Sequence, residues 1–222
     1  MRIKICGLTN TDDTLAAIDA GATHLGFNFY PKSPRYIEPI ECARIVSVIR
    51  LPSTVCLVGV FVNESPAHIA AIFDDCGLDL AQLHGEETPE TLAELNGRAF
   101  KAFRGIGDNH AAYARFPLSQ RGRGQGGEGE TPAFLIDAYS PSLYGGTGHV
   151  ADWSAAQAIA ATYPIFLAGG LTPENVAHAI AQVKPWGVDV ASGVESTPGK
   201  KDHAKVRAFL ANAQTIYDTA AG

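Results

Sequence analysis

From residue 3 onward a short strand candidate is followed by a helix start eight times over, and this alternation is the strongest constraint on the fold. The strand candidates lie at residues 3–6, 23–29, 55–62, 79–83, 99–103, 134–137, 165–168 and 187–191. The third, Val55-Cys56-Leu57-Val58-Gly59-Val60-Phe61-Val62, is nearly all apolar, the pattern of a strand covered on both faces within a parallel sheet. Three helix starts use one device: Ser65-Pro66, Thr88-Pro89 and Thr172-Pro173 each set an N-cap residue before a proline at the first helical position. Asp12 and Asp13 mark an acidic first turn that the helix dipole favours, and further helices are expected over 40–49 and 202–217.

Alternation of this kind allows an open doubly wound sheet or a closed barrel. Eight repeats in 222 residues, with every strand short and no G-x-G-x-x-G after the first, favour the barrel. The expectation is therefore an α/β chain forming a single (β/α)8 TIM barrel domain over residues 1–222, with a parallel sheet. One segment breaks the rhythm, a Gly-rich insertion at about 117–131. Residues 119–130 hold five glycines and no apolar side chain, too little buried surface to offset ordering entropy. A flexible insertion is expected there, on the barrel face opposite the usual site.

Charge and composition remove several functions. A formal net charge of −6 gives no basic footprint, so no nucleic acid is expected as partner. No apolar run approaches the ~18 residues of a membrane span, and the start Met-Arg-Ile-Lys-Ile-Cys lacks the apolar stretch of a signal peptide. The four cysteines, Cys6, Cys42, Cys56 and Cys76, show no C-x-x-C spacing, which suggests neither a zinc site nor a disulfide framework. A cytoplasmic protein with free thiols is expected, with no metal and no cofactor; monomer and homodimer are both compatible with the sequence.

In such barrels the loops after the strands build the site, so polar residues at strand C-termini carry the most weight. Alternate side chains of a strand face opposite ways, which puts Lys4 and Cys6 on one face and Ile3 and Ile5 on the other. Cys6 ends the first strand and Asp137 the sixth, so thiol and carboxyl can face each other across the mouth, an arrangement suited to moving protons. Taken singly, Cys6 also reads as a small buried hydrophobe and Asp137 as a turn or cap acid. Lys4 points into the barrel, where an ammonium must be paired or neutral; Asp189 is the candidate partner, and a Schiff-base lysine is the alternative. Gly169-Gly170 and Ser192-Gly193 follow strands seven and eight, with residues 193–196 a candidate short helix, the makings of a backbone phosphate cradle or simply of two tight turns. Arg35, after the second strand, offers a fork for a carboxylate or a solvated surface charge. His84 ends the fourth strand as a structural or ligand-contacting histidine, and the loop 139–149 is long enough to act as a cover.

Several stretches in order along the whole chain carry a family likeness. Lys4-Ile5-Cys6-Gly7-Leu8-Thr9, Gly26-Phe27 with Ser33-Pro34-Arg35, Val58-Gly59-Val60-Phe61-Val62-Asn63 and Gln82-Leu83-His84-Gly85 resemble the phosphoribosylanthranilate isomerases of tryptophan biosynthesis. So do Leu135-Ile136-Asp137 with Gly145-Gly146-Thr147-Gly148, Leu167-Ala168-Gly169-Gly170-Leu171 and Val190-Ala191-Ser192-Gly193-Val194-Glu195. The Gly-rich insertion departs from the pattern. The resemblance implies the Amadori rearrangement of N-(5-phosphoribosyl)anthranilate to 1-(2-carboxyphenylamino)-1-deoxyribulose 5-phosphate without metal or cofactor. It carries over Asp137 as general acid, Cys6 as general base, Arg35 for the anthranilate carboxylate, and the Gly169-Gly170 and Ser192-Gly193 backbone for the phosphate. The competing readings are another phosphate-binding barrel enzyme of the same pathway and a non-catalytic phospholigand-binding barrel. With −6 net charge, attraction of an anionic substrate must come from the local site.

Overall fold

The structure is a computed structural model that describes residues 1–105, 110–114, 132–138 and 153–220. The Gly-rich insertion and the loop 139–149 lie outside the described residues. Eight parallel strands close into a ring in chain order. They are β1 (Arg2–Cys6), β2 (His24–Asn28), β3 (Cys56–Phe61), β4 (Leu80–Leu83), β5 (Ala99–Arg104), β6 (Phe134–Asp137), β7 (Ile165–Ala168) and β8 (Gly187–Val190). Each is followed by a helix: α1 (Thr11–Asp19), α2 (Pro39–Val48), α3 (Pro66–Cys76), α4 (Pro89–Glu94), α5 (His110–Tyr113), α6 (Trp153–Ala160), α7 (Val176–Val183) and α8 (His203–Ala220). Between β8 and α8 sit a single 3-10 turn, Ser192–Val194, and a two-stranded hairpin of β9 (Glu195–Thr197) and β10 (Lys200–Lys201). The (β/α)8 barrel expected from alternation is thus observed. No helix among the described residues is long and apolar enough to cross a membrane.

The period of two along each strand sorts residues into two cores. Outward-facing side chains such as Ile3, Ile5, Leu25, Leu57, Leu83 and Ile136 pack under the helices in one large apolar layer. Inward-facing ones fill the barrel with a smaller cluster that includes Val58, Leu80, Phe100, Leu135 and Phe166. The inner face is unusually polar on β1 and its neighbours, where Lys4, His24 and Asp189 are buried, and Gln82 of β4 adds another buried polar group.

Helix starts differ from expectation in two places. Ser65 Oγ accepts from the His68 N–H at 3.3 Å as an N-cap should, whereas Thr88 makes no such bond although Pro89 opens α4. α7 begins at Val176, three residues past Pro173. Asn175 is the cause: its Oδ1 accepts from the Thr172 N–H at 2.8 Å and its Nδ2 donates to the Gly170 carbonyl at 2.9 Å, which holds 172–175 as a turn. The extra helix expected over 193–196 is instead the 3-10 turn Ser192–Val194, because the chain then runs into β9.

Candidate active site

A cavity of about 260 Å³ opens at the C-terminal mouth of the barrel, and the seven residues to which the family resemblance gives a role all line it: Cys6, Arg35, Asp137, Gly169, Gly170, Ser192 and Gly193. Cys6 enters from β1 and Asp137 from β6; the two glycine turns leave β7 and β8. Strand register puts Cys6 directly opposite Gly26 of β2. A Cβ on Gly26 would lie 2.9 Å from Cys6 Sγ and 3.0 Å from Lys4 Nζ, so only glycine leaves room for the thiol and the ammonium together. The two loops of the expected cradle touch, and a Cβ on Gly193 would overlap the Leu171 carbonyl. A larger groove of about 780 Å³ runs on the surface between residues 9–13 and 198–203, but none of these seven residues lines it.

Beneath the thiol, Lys4 is fully buried and its Nζ lies 2.9 Å from Asp189 Oδ1, across a register pair of β1 and β8. Burial alone would push the Lys4 pKa down, but the Asp189 carboxylate and the Cys6 sulfur outweigh it and the pKa rises. The ion pair with Asp189 favours the ammonium form of Lys4, whereas the Schiff-base alternative needs a neutral amine. Asp189, whose facing the sequence left open, points inward.

The Arg35 fork is engaged within the protein. Its Nε and Nη2 donate to the two oxygens of Glu195 at 2.8 and 2.7 Å, a bidentate pair reaching from the loop after β2 to β9. Glu195 Oε1 also accepts from Lys201 Nζ at 3.0 Å and from the Gly199 N–H at 3.2 Å, and Lys201 donates to the Ala191 carbonyl at 3.2 Å. Burial disfavours the Glu195 charge, but Arg35 and Lys201 more than offset that and hold its carboxyl below the usual range. Burial likewise lowers the Lys201 pKa, with Glu195 opposing. The guanidinium is thus fixed in place by the protein itself. Neither Glu195 nor Lys201 was assigned a role from the sequence, because a chain separation of 160 residues between Arg35 and Glu195 leaves no local signal.

His84, at the rim after β4, lines the same cavity. Burial first, then the Arg104 charge, push its pKa down to about 4, so the ring is neutral at pH 7. A second buried network ties the loops after β3 and β4 to β5: Glu87 accepts from Lys101 Nζ at 2.8 Å and from the Asn63 N–H at 2.8 Å. Among the described residues no group of three or more His, Cys, Asp or Glu side chains is placed to hold a metal ion.

Fold and cavity together define a (β/α)8 barrel of the kind whose candidate reaction site lies at the C-terminal mouth. Residues 3–212 match the family model described as N-(5'phosphoribosyl)anthranilate (PRA) isomerase. The N-(5'-phosphoribosyl)anthranilate isomerase of Citrifermentans bemidjiense is 47% identical over 216 residues, 97% of this chain and 98% of that one. Among solved structures, phosphoribosyl anthranilate isomerase from Thermotoga maritima superposes with a TM-score of 0.78 at 39% identity, over 97% of this chain and 99% of that one. Another, solved in complex with reduced 1-(o-carboxyphenylamino)-1-deoxyribulose 5-phosphate, gives 0.76 at 37% identity over 97% and 99%. The chain belongs to the N-(5'-phosphoribosyl)anthranilate isomerase family, and it is an isomerase of tryptophan biosynthesis.

Proposed function

We propose that this chain carries out the Amadori rearrangement of N-(5-phosphoribosyl)anthranilate by dividing the proton transfers between Asp137 and Cys6. The carrying observation is that a carboxyl on β6 and a thiol on β1 open into one cavity that also receives the turns after β7 and β8. Asp137 gives its proton to the ribose ring oxygen; the C1′–O bond breaks as the anilino nitrogen pair forms the C1′=N bond of a Schiff base. The Cys6 sulfur then takes the C2′ proton, and the electron pair left on carbon forms the C1′=C2′ bond of an enolamine. Tautomerisation of the enolamine gives the ketone. Only protons move between enzyme and substrate, so the reaction calls for no cofactor.

The ligand bound to the relative carries a carboxylate at one end and a phosphate at the other. In this chain the cavity offers Arg35 for the carboxylate and the backbone of Gly169, Gly170, Ser192 and Gly193 for the phosphate. Glycine at 193 supports that assignment, since the loop backbone approaches where no side chain fits. Cys6→Ser and Asp137→Asn are each expected to lower kcat by about 10²–10⁴-fold with little change in KM. Turnover near that of the wild type in either variant would remove the role assigned to that residue.

A further inference from the structure

We propose that the Lys4–Asp189 pair inside the barrel serves Cys6: Lys4 is a positioning residue whose fixed ammonium faces the sulfur, and Asp189 holds that ammonium in place. The inference rests on the reading of Cys6 as the base. Its first support is that the fold has no evident need of the pair. Replacing a buried ion pair with apolar residues of similar volume is often neutral or stabilising. Part of the inner face is apolar, with Val58, Leu80, Phe100 and Leu135 in one cluster against which apolar replacements can pack.

Geometry is the second support. Lys4 and Cys6 share the inner face of β1, and the missing Cβ of Gly26 marks the spot on which Nζ and Sγ converge, at 3.0 and 2.9 Å. Lys4 and Asp189 are direct register partners on adjacent strands, so backbone pairing fixes the 2.9 Å contact before any substrate arrives. Charge is the third. Lys4 Nζ converges with the Cys6 sulfur at Gly26, and Arg35 lines the cavity into which the thiol opens. Each of these cations is held by a carboxylate, Lys4 by Asp189 and Arg35 by Glu195. A fixed cation beside a thiol favours the thiolate that proton abstraction requires. When the sulfur takes the C2′ proton the thiolate becomes a thiol, while Lys4 keeps its own proton throughout and supplies charge without competing for the substrate's.

The test uses the full chain with Lys4→Met/Asp189→Leu and, as a smaller change, Lys4→Met/Asp189→Asn. Thermal unfolding, kcat, KM and the rate at which iodoacetamide alkylates Cys6 at fixed pH, read on the Cys6 peptide by mass spectrometry, are measured for both. Tm is expected to hold or rise and KM to stay within about threefold, while kcat and alkylation each fall by at least about tenfold. A kcat within about twofold of wild type, or a fall in kcat with unchanged alkylation, overturns the proposal. Failure of both variants to fold overturns it too, since the pair would then serve the barrel. Alkylation reports the hold of Lys4 on the sulfur whatever Cys6 does in turnover, so this arm separates failure here from failure of the base assignment, which Cys6→Ser tests.

Discussion

Cys6 stands opposite a glycine because the sulfur and the Lys4 ammonium occupy the space that a side chain at 26 would take. Gly26→Ala therefore pushes the two groups apart or the strands out. Overpacking of this sort costs about 1–3 kcal/mol of stability. A displacement of the reacting sulfur by a fraction of an ångström to an ångström is expected to lower kcat by about 100-fold. Steady-state kinetics beside a urea titration decide the matter; turnover equal to wild type in a destabilised variant would show that the sulfur keeps its place despite the methyl group. At this scale the sequence was informative where chemistry is local. A thiol two residues beyond a lysine on one strand face, or a glycine pair just past a strand, is visible in a window of five residues. Arg35 was legible as a fork, but its closure by Glu195 was not, since nothing near either residue signals a partner 160 positions away.

At the level of elements, Asp13 shows what a local reading misses. The first-turn acid expected to answer a helix dipole is buried, and it fastens α1 to the other end of the chain. Its Oδ2 accepts from the Lys201 N–H at 2.8 Å and from Asn10 Nδ2 at 2.8 Å, and its Oδ1 meets His203 Nε2 at 2.7 Å. Asp13→Ala leaves the buried Lys201 N–H without an acceptor and is expected to cost about 2–3 kcal/mol. Because Lys201 also holds Glu195, which holds Arg35, a rise in KM should accompany the loss. Chemical denaturation with a change below about 0.5 kcal/mol would show that water replaces the carboxylate, and the clasp would then be incidental. Strands and most helices were readable because a period of two, an apolar run and a Ser-Pro step are properties of neighbours in sequence. The delayed start of α7 and the hairpin before α8 were not, since Asn175 folding back onto Gly170 and the pairing of β9 with β10 depend on contacts the pattern does not encode.

For the whole molecule, the polar interior of the barrel sets how stability responds to acid. His24 is almost fully buried beside Lys4, its register partner on β1, with its ring edge-on to Phe166 and Trp186 at 5.1 and 5.8 Å. Burial first, then the charges of Lys4 and Arg2, push its pKa from 6.5 down to about 3. The folded state thus refuses a proton that the unfolded chain accepts below about pH 6.5, and stability falls as pH drops through the window between the two values. Nothing is lost above pH 7, where both states hold a neutral ring. Going from pH 7.5 to 5.5, His24 alone is expected to remove about 1.4 kcal/mol. His84, held down to about 4 but partly exposed, adds a smaller amount of the same sign. Glu195 and Glu87, whose carboxyls are held low by their cations despite burial, contribute only at more acid pH, where they protonate more readily in the unfolded chain. Urea unfolding at pH 7.5 and 5.5 measures the difference directly, and His24→Asn should flatten most of it while leaving kcat at pH 7.5 close to wild type. A stability that is flat between the two pH values in the wild-type protein would mean that the buried ring finds a way to take up its proton, and with it that the floor of the barrel is open to water.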